Sequence, residues 1–131
     1  MTDFFGLDVP FLRHCSIRGI DRGEGWTLSA VDIEPHHHNS HASGHGGLIM
    51  TLLDVAMGSA ARLSDPSSTG AITLNLQTTF LRPAMGRVLC RARVLSQAAR
   101  TVYCDAEVTD EQGSLLAHGT STFMLVTRNQ S

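Results

Sequence analysis

The second half of the chain alternates apolar and polar residues with a period of two. Between Arg87 and Gln97, the residues Val88, Cys90, Ala92 and Val94 interleave with Arg91 and Arg93. Between Thr101 and Asp110, Val102, Cys104, Ala106 and Val108 interleave with Tyr103, Asp105 and Glu107. In 72–83, Ile72, Leu74, Leu76 and Phe80 are predicted to share one face, with Thr73, Asn75, Gln77 and Thr79 on the other. Residues 114–126 supply one more such segment. Period-two alternation marks antiparallel strands with one buried face. The Pro- and Gly-bearing segments 83–86 and 110–113 serve as turns between them. Earlier, residues 15–33 read as two strands around a turn at Asp21–Gly25, and 34–45 as loop. Residues 4–14 hold Pro10 within apolar surroundings and read as a short helix or turn. From Gly46 to about Leu63 no proline occurs and Leu, Met and Ala dominate, which predicts a helix. The run Ser-Asp-Pro-Ser-Ser-Thr-Gly at 64–70 ends it. The order is therefore two strands, one long helix and four strands. A lone helix among antiparallel strands is buried only if the sheet curls round it, so the expected class is α+β in a single domain over 1–131.

Composition narrows the function classes. The 131 residues are 42% apolar and 17% charged, a globular balance. A formal net charge of −2 speaks against a nucleic-acid surface, which is normally basic. Cys15, Cys90 and Cys104 are odd in number and lack any CxxC spacing, which suits a reducing cytoplasm better than a disulfide framework or zinc site. No leader is evident at the N-terminus, and no stretch is read as approaching a membrane-spanning length. A cytoplasmic protein without nucleic-acid or membrane partners is expected.

The candidate chemistry lies in 36–61. Within Gly46–Ala61 the only ionisable side chain is Asp54, on a helix apolar nearly all round. A carboxylate there is costly to bury unless hydrogen-bonded or paired, and it reads either as a structural hydrogen-bonding group or as a functional acid. His45-Gly46-Gly47 puts two glycines where a loop enters the helix. Backbone N–H groups there are sterically open and lie at the positive end of the helix dipole, able to hold an oxyanion; the glycines could equally serve only a tight turn. Gly46 and Asp54 are eight residues apart, about 12 Å along a helix. Either they are unrelated or they meet across a two-fold interface, Gly46 from one chain and Asp54 from the other.

These residues resemble the hot-dog-fold acyl-CoA thioesterases of the phenylacetate-pathway (PaaI-like) type. The family pattern is an Asn, His-Gly-Gly six residues on, and an acid nine residues past that His; here these are Asn39, His45-Gly46-Gly47 and Asp54. Thr51-Leu52-Leu53-Asp54-Val55-Ala56 matches the family's helix core, and the segment 72–84 its following strand ending in an aromatic and then Pro-Ala. The resemblance covers about residues 15–126. It implies a curved antiparallel sheet of five to six strands wrapped round one central helix, and an obligate homodimer, built up to a homotetramer, formed through the strand after the helix. It also implies Asp54 as nucleophile or general base, the Gly46 N–H as the group polarising the thioester carbonyl, and Asn39 as the residue orienting thioester or water. Thr73 aligns with a hydroxyl position that assists water. His45, Gly47, Met57, Gly58 and Arg82 would contact substrate, His45 chiefly by bracing the turn. No metal or cofactor is implied, coenzyme A being part of the substrate. The family's glycine three places beyond the Asn is replaced here by Ala42.

Two rivals share the fold: a catalytically silent acyl-CoA-binding module, and a hydratase or dehydratase, whose usual His-plus-acid pairing at a Pro-Gly helix start is missing here. A third reading takes His36, His37, His38, His41 and His45 as metal ligands. Adjacent histidines on an extended segment point apart and no helical HExxH exists, so the reading expected is a tract of solvated loop histidines. The acyl pocket is expected among Met50, Met57, Met85 or residues of the 1–14 segment, a lining suited to aryl-acetyl or medium-chain acyl groups. Arg82, Arg87, Arg91 and Arg93 are candidates for the CoA phosphates.

Overall fold

The computed structural model describes residues 4–127. A short helix α1 (Pro10–His14) leads into strands β1 (Arg18–Gly23) and β2 (Trp26–Asp32). The long helix α2 (Gly46–Leu63) follows, then β3 (Gly70–Phe80), β4 (Arg87–Ala98), β5 (Thr101–Asp110) and β6 (Leu115–Val126). All six strands join one antiparallel sheet in the order β1-β2-β4-β5-β6-β3.

The sheet curls round α2 because this helix has too much apolar surface for one flat layer. Nine of its eighteen residues are buried, among them Leu52, Leu53, Ala56 and Met57 at 0% exposure. They pack against Val31, Val88, Val102, Val108, Phe123 and Leu125 from the inner face of the sheet. Two side-chain bonds tie helix to sheet in this dry layer. Thr27 Oγ1 donates to the Ala56 carbonyl at 2.8 Å, and Cys104 Sγ to the Met57 carbonyl at 3.6 Å. Gly119 lets the helix come close, since a Cβ there would lie 3.2 Å from Leu53 Cδ1 and 3.3 Å from the Gln77 carbonyl oxygen. By length and apolarity α2 could cross a membrane, so the expectation that no stretch approaches that length is corrected. Burial inside the sheet accounts for its composition.

Three local expectations also change. The first hairpin turns only at Glu24-Gly25, with Gly23 opposite Trp26, so β1 runs through the predicted turn residues Asp21–Gly23. The 34–45 loop contains a 3-10 turn at Pro35–His37, where Pro at the first position suits a helical start. The predicted single apolar face of β3 is broken by a bulge. The β6 register jumps between Thr73, opposite Phe123, and Asn75, opposite Thr122, leaving Leu74 as the extra residue. Thr73, Leu76 and Phe80 therefore lie opposite the inward residues Phe123, Ser121 and Ala117. Ile72 and Leu74 stand 47% and 54% exposed.

Candidate active site

The beginning of α2 leaves one backbone donor unused. A helix start has four N–H groups without intrahelical acceptors. Here His45 N–H bonds to the His37 carbonyl at 2.8 Å and Leu48 N–H to the His45 carbonyl at 2.9 Å, and Gly47 N–H bonds to His45 Nδ1 at 2.8 Å. The fourth, Gly46 N–H, has no partner among the described residues. It opens at a pocket of about 340 Å³ that also takes in Asn39, His41, Phe80 and Arg82. His45 is thus the N-cap, holding the turn that presents Gly46, and Gly47 is engaged by it.

Asn39 shares this pocket. Its Oδ1 accepts from His41 N–H at 2.8 Å, Ser43 N–H at 3.2 Å and Ser43 Oγ at 3.3 Å. With the carbonyl end occupied by the loop, its Nδ2 is left as a donor. Asn39 and Gly46 together make a two-donor cradle suited to a carbonyl oxygen gaining charge. The loop needs Ala42 at φ +59, a left-handed conformation that costs an L-residue roughly 1–2 kcal/mol. Ala42→Gly is therefore expected to stabilise the fold by about 1 kcal/mol, raising Tm by about 3 °C, as differential scanning calorimetry would show.

Asp54 lies two turns further along α2, half-buried. Its Oδ1 accepts from Thr73 Oγ1 at 2.7 Å, a meeting made possible by the inward turn of Thr73 just before the bulge. Oδ2 carries no bond among the described residues and is left for substrate or water. The two ties at Ala56 and Met57 fix the helix next to it. Asp54 and Thr73 line a second pocket of about 140 Å³, walled by Phe4, Leu7, Leu12 and Phe123. No residue is common to the two pockets: Asn39 and Gly46 line one, Asp54 and Thr73 the other.

The remaining predicted site residues divide. Gly58 lines the Asp54 pocket and Arg82 the Gly46 pocket. Met57 is 0% exposed within the core, so the expectation that it contacts substrate is corrected: buried against the sheet, it offers a ligand no surface. Met50 and Met85 are exposed and line neither pocket. The pocket wall comes instead from the N-terminal segment beginning at Phe4, residues 1–3 lying outside the described residues. Among the four arginines, Arg87 is drawn to Asp32 at 3.7 Å and Arg93 to Asp105 at 3.0 Å. Arg91 lies in a separate groove with Trp26 and Glu107, which leaves Arg82 nearest the cradle. Sequence reasoning missed Ser59 and Arg62, both in the Asp54 pocket; at five and eight residues from Asp54 they fall off its helix face, and no local signal marked them.

The loop histidines do structural work where they are buried. His37 Nδ1 accepts from Glu34 N–H at 3.0 Å and its Nε2 pairs with the Cys15 carbonyl at 2.7 Å. That fixes the neutral tautomer with the proton on Nε2. Among the described residues, no three His, Cys, Asp or Glu side chains are grouped to hold a metal ion. Burial pushes the Cys90 and Cys104 thiols up to about 12 and raises Cys15 as well. Thiolate is the reactive form, so titration of native protein with a disulfide reagent is expected to find at most one fast thiol per chain, and all three after unfolding.

A long helix enclosed by a six-stranded antiparallel sheet, with an acid midway along it and an open N–H at its start, is the hot-dog fold. Residues 43–117 match the thioesterase superfamily, and the chain belongs to that family. A Halobacterium salinarum protein named as an esterase is 31% identical over 103 residues, 68% of each chain. Human acyl-coenzyme A thioesterase 13 is 26% identical over 106 residues, covering 79% of this chain and 75% of that one. Among solved structures, a conserved protein of Pseudomonas aeruginosa superposes with a TM-score of 0.85 at 27% identity, covering 91% of this chain and 95% of its own. The PaaI protein of the Escherichia coli phenylacetic acid degradation operon gives 0.84 at 22% identity, over 91% and 86%, a likeness of fold.

Proposed function

We propose that the protein hydrolyses acyl-CoA thioesters at a composite site, each site built from two copies of the chain. The observation that carries this reading is the division of the machinery into two separate pockets on one chain, with about 12 Å of helix between Gly46 and Asp54. A single thioester carbonyl cannot reach both, whereas an isologous pair of chains brings each half to its complement twice. The surface that would pair also supports it. Strand β3 is an edge with β6 as its one neighbour, and it exposes Ile72, Leu74 and Phe80, the last at 52%. Unprotected apolar edges of this kind mark association sites.

In the proposed reaction the thioester carbonyl oxygen accepts from Gly46 N–H and Asn39 Nδ2. Asp54 of the partner subunit, steadied by Thr73, either attacks the carbonyl carbon or takes a proton from a water that does. The tetrahedral oxyanion collapses, the C–S bond breaks, and coenzyme A leaves as a thiolate, which needs little acid assistance. In the nucleophilic route water then cleaves the acyl–aspartyl anhydride. Both routes yield a carboxylate and free coenzyme A.

Free-thiol release from a panel of acetyl-, butyryl-, benzoyl-, phenylacetyl- and lauroyl-CoA tests this reading. Turnover confined to short or aryl acyl groups is expected, given the 140 Å³ pocket beside Asp54. Silence across a panel that includes short acyl groups, from protein shown to be dimeric, would overturn hydrolysis in favour of a binding module.

A further inference from the structure

The Asp54 pocket ends in a cation. Arg62, half-buried on α2, lines it together with Asp54, and Ser59 lies between them along the helix. One guanidinium nitrogen of Arg62 donates to the Phe5 carbonyl at 2.6 Å; the group has five N–H donors in all. Arg22 also approaches this segment, with Nη1 4.0 Å from where a Gly6 Cβ would sit. Neither arginine is in an ion pair among the described residues. Asp21, the nearest acid in sequence, uses Oδ1 to accept the Arg22 backbone N–H at 2.8 Å. Burial, and then the charge of Arg22, hold the Arg62 guanidinium below the ordinary arginine value, an unfavourable placement that an anion would relieve. Ser59 is only 5% exposed, and its hydroxyl has no hydrogen bond among the described residues. A hydroxyl without a hydrogen-bond partner and a guanidinium outside any ion pair, both lining one pocket, are what a polar ligand terminus needs.

We infer that the acyl group carries a carboxylate at its far end, so that the substrate is the CoA monothioester of a short dicarboxylic acid bound by Arg62 and Ser59. This rests on the thioesterase reading above. Size limits the chain length: about 140 Å³ holds about five water-sized groups. Two or three methylenes and a carboxylate beyond the thioester carbonyl fill that space. The carbonyl end would lie at Asp54, the charged end two turns away at Arg62, and the apolar wall would pack the methylenes. Arg22 adds positive potential without needing direct contact.

The test compares glutaryl-CoA with 5-methylhexanoyl-CoA, which replaces the carboxylate by a neutral group of the same shape. For the wild-type protein, kcat/KM is expected to favour glutaryl-CoA by at least about tenfold, the scale of a charge-assisted hydrogen bond. Arg62→Met should reduce that ratio at least about tenfold, while Arg62→Lys should keep part of it. A wild-type ratio below tenfold, or a ratio unchanged in Arg62→Met, would overturn the inference. Because Arg62 also holds Phe5, Arg62→Met could fail to fold; the wild-type ratio then decides alone. If neither ester turns over, it is the hydrolytic reading that fails. Calorimetric Kd values for the same two esters then decide: glutaryl-CoA tighter by at least about tenfold sustains the anion subsite, and a smaller difference refutes it.

Discussion

Asp54→Asn is expected to lower kcat by about three orders of magnitude, the usual range for loss of a base or nucleophile. The substitution keeps the shape of the side chain and an oxygen able to accept from Thr73 Oγ1. Stability should therefore move by no more than about 1 kcal/mol, and the chain should still assemble. The loss is specific to the second carboxylate oxygen, the one with no partner, which the amide replaces with a donor. A steady-state thiol-release assay beside a thermal melt separates the outcomes. Activity within tenfold of wild type at an unchanged Tm would remove Asp54 from the chemistry and leave it a structural acid bonded to β3.

A still more discriminating result is expected from mixing two inactive variants. Asn39→Asp keeps the Oδ1 that organises the 39–43 loop but removes the Nδ2 donor and adds a negative charge beside the oxyanion cradle. It should cost about a hundredfold or more in kcat. Homodimers of Asn39→Asp and homodimers of Asp54→Asn should both be nearly inactive. When the two are co-folded in equal amounts, about half of the dimers are mixed. One of the two sites in each mixed dimer carries both changes and the other carries neither, so about a quarter of wild-type activity should return. A site completed within one chain predicts no recovery at all. The experiment thus reads directly whether the two pockets of one chain serve the same substrate or different ones.

Much of the architecture was legible because its signals are local. The helix bounds Gly46 and Leu63 follow from a Gly-Gly entry and a Ser-Asp-Pro exit, and β4 and β5 follow from clean alternation of apolar with charged and polar residues. The first hairpin was harder: Gly23 and Gly25 both fit a turn, and only the pairing of Gly23 with Trp26 decides which residues form it. The face of β3 was misread because a bulge needs no glycine or proline to announce it. Ile72, Leu74 and Leu76 alternate perfectly in sequence, and the interruption exists only in the register against β6. The candidate site shows the same division. Asn39, Gly46 and Asp54 were found through their spacing and the family pattern. That Asn39 offers only its nitrogen, that Met57 is sealed in the core, and that Arg62 closes the acidic pocket depend on contacts between distant segments. The N-terminal segment was named for the pocket wall beside Met50, Met57 and Met85, and only its contacts with α2 and β3 single it out from those three.

The Leu74 bulge has a meaning that goes beyond geometry. In a regular strand, positions 73 and 80 differ in parity and must face opposite ways. One inserted residue cancels that difference, so a single strand supplies a hydroxyl to Asp54 near one end and an aromatic ring to the pocket at Gly46 at the other. The irregularity itself is therefore a working part of the strand: deleting Leu74 would turn Thr73 and Phe80 to opposite faces of the sheet without changing either side chain.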